Sequence, residues 1–435
     1  MGFLSHKSCS RELKLKNLRL LILKKLLVIA PRFPSINQPW MDTYLEELLS
    51  CDIELGICSS LKEVEPYNEK VDRLKLRQQI ILYNDNFSLR IILNNLLKKP
   101  RHSLQIIREL PRYLRLARTL NKNHGIQVLE SLAKYVSFAS ERKKFNDFDA
   151  IHAHGEIAGY QFCYLAEVLD IPFFITFHGL PPLGVGQLSA AKRQRLYGKA
   201  RAVFVNTNFS KKTVRSLSCQ AQKIHIIPQG LPIEDFPFNP TQFPTNAEPI
   251  FLLSVGRFHP DKGQGYILLA LRRLRDKKIN AHLNLVGVGP KKERLITLTK
   301  RLNLTEYVSI HSGIGANELK VLYKEAHFFL LASTSSDKDS SGAHTETQGV
   351  VLQEAQASGC IPVASRVGGI PEVLNHDHDG LLVQQRSSNG IASAVIKILN
   401  SKERYETYQK NGRLNVENNF SSKVTSQKLL HFLNK

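Results

Sequence analysis

A short helix flanked by two glutamates carries the strongest chemical signal in this sequence. The segment VVLQEAQAS predicts the helix, because Gly359 follows it and glycine favours the left-handed turn that ends many helices. Glu346 precedes the helix, and Glu354 lies eight residues further along, inside it. The two carboxylates could accept hydrogen bonds from hydroxyl groups of a ligand that binds near the helix start.

The start of the same helix predicts an anion site. Gln348, Gly349 and Val350 would present backbone N–H groups that have no partner inside the helix. The helix dipole favours negative charge at this end. A site that binds a phosphate through these amides and hydroxyl groups through the two acids would suit a nucleotide sugar. A solvated helix with two surface acids is the alternative, and the spacing alone leaves it open.

Two cations follow a predicted buried strand further back in the chain. The apolar run 250–255 leads into the loop GRFHPDKG, in which Arg257 and Lys262 are five residues apart. Fixed cations at the carboxyl end of a strand can neutralise a diphosphate as it becomes a leaving group. A solvated basic loop is the alternative interpretation.

Two earlier predicted strands each end in histidine followed by glycine. Residues 148–153 lead into HAHG and residues 173–177 into FHG, with a predicted helix between them. This order implies a right-handed parallel crossover, so the histidine–glycine pairs at the two strand ends should lie at the same edge of the sheet. His154 and His178, at equivalent strand ends, are therefore candidate ligand contacts, whereas His152 is expected to face the packed interior.

Two turns after later strands are candidate walls of the nucleotide pocket. GVGP contains Gly287 and Gly289, and the next loop contains Gly313 and Ile314. Turns of the GxG type are frequent, so they indicate a pocket only in combination with the other motifs.

Length and composition point to a globular two-domain protein with an anionic partner. The chain has 435 residues, which is too long for one ordinary core, and its 42% hydrophobic content is typical of globular proteins. The net charge of +22 favours binding to a nucleotide, a membrane surface or nucleic acid. Six scattered cysteines without a CxxC motif indicate reduced thiols. No transmembrane span or secretion signal is predicted.

Basic segments and composition shifts suggest a division of the chain. We predict a basic leader (1–23), a first α/β domain (24–240), a linker (241–249), a second α/β domain (250–405) and a C-terminal helix that returns to the first domain (406–435). The leader and the basic helical region of the first domain could dock on anionic lipid, although solvated basic faces are the alternative.

From Lys25 onward the sequence resembles the family-4 retaining glycosyltransferases of the GT-B fold, particularly the bacterial exopolysaccharide or colanic-acid type. The resemblance rests on the EX7E spacing, on the following AQASGCIPVASRVGGIPE, and on GRFHPDKG, which matches the family's GRxxxxKG. It implies two doubly wound, Rossmann-like domains facing each other across a cleft. It also implies transfer of a hexose from a UDP-, GDP- or ADP-sugar to a saccharide acceptor, lipid-linked or free.

The resemblance also assigns roles to individual residues. Arg257 and Lys262 would hold the diphosphate, and Glu354 the ribose hydroxyls. Glu346 would contact the donor hexose, with His178 on the sugar from the first domain. Retention in this family is explained by front-face attack, in which the leaving phosphate takes the acceptor's proton, so we assign no protein base.

We expect no bound metal or cofactor, and we interpret Asp337-Lys338-Asp339, which mimics a DxD metal motif, as loop polarity. The protein is expected in the cytoplasm, with the inner face of the plasma membrane as a peripheral site. The alternatives are another GT-B nucleotide-sugar enzyme, such as an epimerase, or a non-catalytic basic module on a membrane; nothing resembles a reader of nucleic acid.

Overall fold

A computed structural model describes residues 23–30, 32–34, 39–59, 69–82, 100–179, 187–245, 248–335 and 345–435, and it describes residues 100–103 by their backbone alone. The predicted basic leader up to residue 22 and the tripeptide Asp337-Lys338-Asp339 lie outside these residues. The described chain forms two parallel sheets, each covered by helices.

The first sheet has seven parallel strands in the order β3-β2-β1-β4-β5-β6-β7. The strands are β1 (Lys25–Ile29), β2 (Glu54–Ser59), β3 (Ile80–Leu82), β4 (Ala150–His154), β5 (Phe173–Phe177), β6 (Ala202–Val205) and β7 (Ile224–Ile226). Strands β1, β5 and β6 are almost continuously apolar and buried, as expected when helices cover both faces of a sheet.

Seven described helices belong to this part of the chain. They are α1 (Pro39–Leu49), α2 (Glu69–Arg73), α3 (Pro100–His124), α4 (Val128–Ser140), α5 (Glu156–Leu169), α6 (Ala190–Lys199) and α7 (Asn208–Ser216). Helices α3 and α4 pack on each other. They confirm the predicted basic helical region of the first domain, in the part of it that the structure describes.

The second sheet has six parallel strands in the order β10-β9-β8-β11-β12-β13. The strands are β8 (Ile250–Val255), β9 (Ala281–Val286), β10 (Val308–His311), β11 (Phe328–Leu331), β12 (Ile361–Ser365) and β13 (Leu381–Val383). Each sheet reverses its order beside its first strand, as in doubly wound Rossmann-like folds, and ligands of such sheets bind in the crevice at that reversal.

The remaining helices are α8 (Gln264–Asp276), α9 (Lys292–Arg301), α10 (Ala316–Glu325), α11 (Val350–Ser358), α12 (Ser388–Leu399), α13 (Lys402–Asn419) and α14 (Ser422–Leu433). Helix α11 spans the predicted VVLQEAQAS segment, and Gly359 ends it with φ of 98°. None of the described helices is both long and apolar enough to cross a membrane.

The C-terminal helices connect the two halves of the molecule. Helix α13 packs on α11 and α12 of the second sheet, so the predicted return at residue 406 falls inside a helix that stays with the second domain. The chain crosses back at Ser421, and Leu429 and Leu433 of α14 then join the apolar core around α1. The Ser422 hydroxyl donates to Glu47 of α1 at 2.5 Å.

Candidate active site at the facing sheet edges

Two loops meet at the order reversal of the second sheet, one after β8 and one after β11. They bring the ammonium of Lys262 to 2.5 Å from Glu346 Oε2, and the Ser333 hydroxyl donates to the same oxygen at 3.3 Å. Only 19% of the Lys262 side chain and 16% of the Glu346 side chain are exposed. The predicted diphosphate cation and the predicted sugar-contacting acid therefore occupy one site.

Arg257 lies at the rim of this site. Its side chain is 68% exposed, and its guanidinium lies 3.6 Å from Asp261 Oδ2. Asp261 is largely buried, and its other carboxylate oxygen lies 2.5 Å from Nδ1 of His259. Arg257 is thus exposed and only loosely paired, and its contact with a diphosphate stays a prediction.

The loop after β8 is held by its backbone as well as by its charges. The Asp261 carbonyl accepts a hydrogen bond of 2.7 Å from the Thr334 N–H of the loop after β11. Gly263 has φ of 63°, and a Cβ there would lie 2.0 Å from the Ala332 carbonyl oxygen. The glycine thus allows the contact between the two loops that positions its neighbour Lys262.

The loop that carries Glu346 rests on the glycine pair after β12. The Gly369 N–H donates to the Glu346 carbonyl at 2.9 Å, and a Cβ on Gly368 would lie 2.1 Å from that carbonyl oxygen. Gly349 then begins α11 with φ of 84° and no side-chain cap. A Cβ on Gly349 would lie 3.6 Å from Glu346 Cγ, so α11 starts beside the Lys262–Glu346 pair, and the binding of an anion there stays a prediction.

Gln348 has a second role that the sequence did not indicate. Its buried side chain makes a reciprocal pair of hydrogen bonds with the backbone of Gln229 in the first domain, of 2.8 Å and 3.0 Å. Beside it, the Thr207 hydroxyl donates to the Thr347 carbonyl at 2.9 Å. These bonds hold the loop that precedes α11 directly against the first domain.

Glu372 makes a further bridge between the domains. Its carboxylate accepts hydrogen bonds from the N–H groups of Asn208 and Phe209 at 2.5 Å and 2.7 Å, at the start of α7. A carboxylate is stabilised at a helix N-terminus by the unpaired amides and the dipole. Glu372 is the last residue of the GGIPE motif, but only the tertiary structure shows that its hydrogen-bond partners lie in the other domain.

Glu354 lies half-buried between α10 and α11. The buried Tyr323 hydroxyl donates to Glu354 Oε2 at 2.7 Å. Burial raises the pKa of Glu354 above its ordinary value, although the Tyr323 hydrogen bond opposes the shift. Its contact with ribose hydroxyls stays a prediction.

The predicted glycine turns differ in what surrounds them. A Cβ on Gly287 would lie 2.0 Å from the Gly256 carbonyl oxygen, and one on Gly289 would lie 2.6 Å from that of Phe258. Both glycines thus pack the turn after β9 against the loop that leads to Lys262. Gly313 has open space around it, and Ile314 packs on the apolar cluster near α11. Their contacts with a nucleotide stay predictions.

The first domain presents its histidines at one sheet edge, as predicted. His154 Nδ1 and His178 Nε2 are 3.0 Å apart. A Cβ on Gly179 would lie 3.3 Å from the Thr347 side chain, so the end of β5 faces the loop of Glu346 across the cleft. His152 is packed in the interior as expected, with its ring nitrogens 2.6 Å from the Tyr44 hydroxyl and 2.7 Å from the Thr176 hydroxyl.

A narrow cavity adjoins His178 on the first-domain side of the cleft. It offers about 70 Å³ to the centres of water-sized molecules. Its walls come from α1, α14 and the carboxyl ends of the first-sheet strands, and they include Trp40, Tyr44, His154, Thr176, Gln229 and Thr425. Among the described residues, no group of three or more His, Cys, Asp or Glu side chains could hold a metal ion.

Two doubly wound domains that face each other, joined by a C-terminal helix that returns to the first, define the GT-B class of fold. A family model described as "Glycosyltransferase Family 4" matches residues 78–235, and one described as "Glycosyl transferases group 1" matches residues 235–415. The two models together cover residues 78–415, and the chain belongs to the glycosyltransferase family that they describe.

Among curated proteins, the chain is 30% identical to the putative colanic acid biosynthesis glycosyltransferase WcaL of Escherichia coli K12, over 51% of this chain and 53% of the relative. It is also 30% identical to a GDP-mannose-dependent alpha-(1-6)-phosphatidylinositol monomannoside mannosyltransferase of Mycobacterium tuberculosis, over 42% of this chain and 46% of the relative. The chain thus spans about half the length of these relatives.

A similar fold occurs in a crystal structure of Anabaena Alr3699/HepE in complex with UDP and glucose. The TM-score is 0.67 at 15% sequence identity, over 94% of this chain and 99% of the other. At this identity the likeness concerns the fold alone.

Proposed function

We propose that this protein transfers a hexose, with retention of anomeric configuration, from a nucleoside-diphosphate sugar to a saccharide acceptor. The observation that carries the proposal is the Lys262–Glu346 pair at the order reversal of the second sheet, beside the uncapped start of α11. A cation, a carboxylate and unpaired helix amides together suit a ligand that has both phosphate and hydroxyl groups.

In this proposal the second domain stabilises the leaving diphosphate. The bond between the anomeric carbon and the phosphate oxygen breaks as the acceptor oxygen bonds to the same face of that carbon. The acceptor's proton passes to the leaving phosphate, so no protein base is needed. Lys262, Arg257 and the amides at Val350 offset the developing negative charge, because preorganised donors stabilise such charge strongly.

The same arrangement removes the need for a bound metal or cofactor in the proposal. Lysine has three N–H donors, so Lys262 can keep its bond to Glu346 while it donates to a phosphate. Glu346 then accepts a hydrogen bond from a donor-sugar hydroxyl, and Glu354 accepts from the ribose. His178 contacts the sugar from the first domain.

We expect one nucleoside diphosphate among UDP, GDP and ADP to raise the melting temperature of the purified protein. A ligand at a hundred times its Kd adds about 2.7 kcal/mol to the free energy of unfolding. The shift should persist in EDTA, and it should be lost in Lys262→Ala but kept in Lys300→Ala, which alters an exposed lysine of α9. A protein that responds to none of the three nucleotides would contradict the proposed donor site.

We propose a lipid-linked saccharide of exopolysaccharide synthesis as the acceptor, which would place the enzyme at the cytoplasmic face of a membrane. One stripe of α3 supports this position. Arg115, Arg118 and Lys122 are exposed, and they continue at helical spacing the line of the exposed Leu104 and Ile107. Apolar side chains beside basic ones suit the surface of an anionic bilayer.

Reversal of the charges on this stripe should release the protein from anionic vesicles. The triple variant Arg115→Glu, Arg118→Glu, Lys122→Glu is expected to bind phosphatidylserine vesicles about 100-fold more weakly, at about 1 kcal/mol for each basic residue lost. The matched control reverses three exposed residues of the second domain, Arg294, Lys300 and Arg301. Equal losses in the two variants, measured by vesicle sedimentation, would show that net charge and not the α3 stripe determines binding.

A further inference from the structure

A partly buried hydrogen bond joins two histidines at the cleft. His154 Nδ1 lies 3.0 Å from His178 Nε2, and the two ring planes differ by 15°. His154 is only 8% exposed. Its other nitrogen, Nε2, exposes less than 1 Å² and has no hydrogen-bond partner among the described residues. The Trp40 ring packs on His178 with centroids 4.3 Å apart and so restricts how that imidazole can rotate.

Both imidazoles are neutral at physiological pH. Burial lowers the pKa of His178 to about 4 and that of His154 well below its ordinary value, with the neighbouring histidines adding to the latter shift. A neutral imidazole carries one N–H and one bare nitrogen. The bond between the two rings can therefore form in only two ways, with either His154 or His178 as the donor.

The unpartnered Nε2 of His154 distinguishes the two arrangements. If His178 donated, the proton of His154 would reside on Nε2, as a buried N–H without an acceptor. If His154 donates through Nδ1, its Nε2 is unprotonated and is only an acceptor without a donor. Buried N–H groups without partners are rare in proteins, whereas incompletely satisfied acceptors are less so. The second arrangement therefore has the lower free energy.

We propose that His154 is a positioning residue that donates from Nδ1 to His178 Nε2 and so confines the proton of His178 to its Nδ1. His178 then acts toward a ligand as a hydrogen-bond donor with a defined tautomer, and its Nε2 is not available as a base. That this ligand is the donor sugar rests on the function proposed above. The tautomer itself does not.

The test is imidazole ¹⁵N NMR of the full chain labelled at histidine, with His178→Gln used to assign the His178 resonances. In the wild-type protein we expect a protonated, pyrrole-like Nδ1 and a pyridine-like Nε2 at His178. In His154→Phe, which keeps a ring but removes the donor, the proton should redistribute toward Nε2. A protonated Nε2 in the wild type, or an unchanged tautomer in His154→Phe, would overturn the proposal.

Kinetics supply a second readout. The amide nitrogen of asparagine can take the place of an imidazole Nδ1, so His154→Asn should retain most of the transfer activity. His154→Phe should lower kcat/KM about tenfold, the order expected for one lost hydrogen bond. Equal losses in the two variants would indicate packing alone and count against the role of His154. If the wild type transferred no sugar, the proposed function would fail while the NMR measurement still decided the tautomer.

Discussion

Lys262→Ala is expected to lower kcat/KM for glycosyl transfer by about 30- to 1,000-fold, without unfolding the protein. The loss corresponds to about 2–4 kcal/mol, the scale for removing one preorganised group that stabilises developing charge. Lys262 meets that description, because its ammonium is largely buried and held 2.5 Å from Glu346. The backbone bond between Thr334 and Asp261 holds the loop independently of the lysine side chain.

Steady-state kinetics with the donor identified by thermal shift would measure this effect. Lys300→Ala is the control, since it removes an exposed lysine from the same domain. Both variants should melt within a few degrees of the wild type, because Glu346 keeps its hydrogen bond from Ser333 after Lys262 is removed. Near-normal turnover in Lys262→Ala would rule out this lysine as the diphosphate ligand.

Gly263→Ala is expected to lower the free energy of unfolding by about 2–5 kcal/mol. Two costs add at this position. A φ of 63° is unfavourable for any residue with a Cβ, by about 1–2 kcal/mol. The new methyl group would also lie 2.0 Å from the Ala332 carbonyl oxygen, so the two loops must separate, at a cost of about 1–3 kcal/mol. Since the displaced loop carries Lys262, activity should fall as well.

Gly313→Ala isolates the first of these costs. Gly313 has φ of 73°, and nothing lies within 4 Å of where its Cβ would be. This variant should therefore lose only about 1–2 kcal/mol, from the backbone conformation alone. Urea unfolding of the two variants provides the comparison. If both unfolded at the same urea concentration, the contact between the loops after β8 and β11 would not contribute to stability.

The local sequence was enough to predict several helices and strands, and the sheet edge at which the histidines meet. The predicted strands at 173–177 and 250–255 match the observed ones, because continuous apolar runs suit strands that are buried on both faces. Gly359 ends α11 as predicted, because only glycine adopts its left-handed conformation readily. The right-handed crossover rule then placed His154 beside His178.

The partners of the side chains were decided by the tertiary structure. Lys262 and Glu346 are 84 residues apart in sequence, and Gln348 and Gln229 are 119 apart, so no periodicity relates them. The return of the chain at Ser421 also depended on packing, since α13 covers α11 while α14 completes the core around α1. Periodicity reports which face of an element is buried. Which distant residue it meets there depends on how loops pack within one domain, as for Lys262 and Glu346, and on how the two domains pack on each other, as for Gln348 and Gln229.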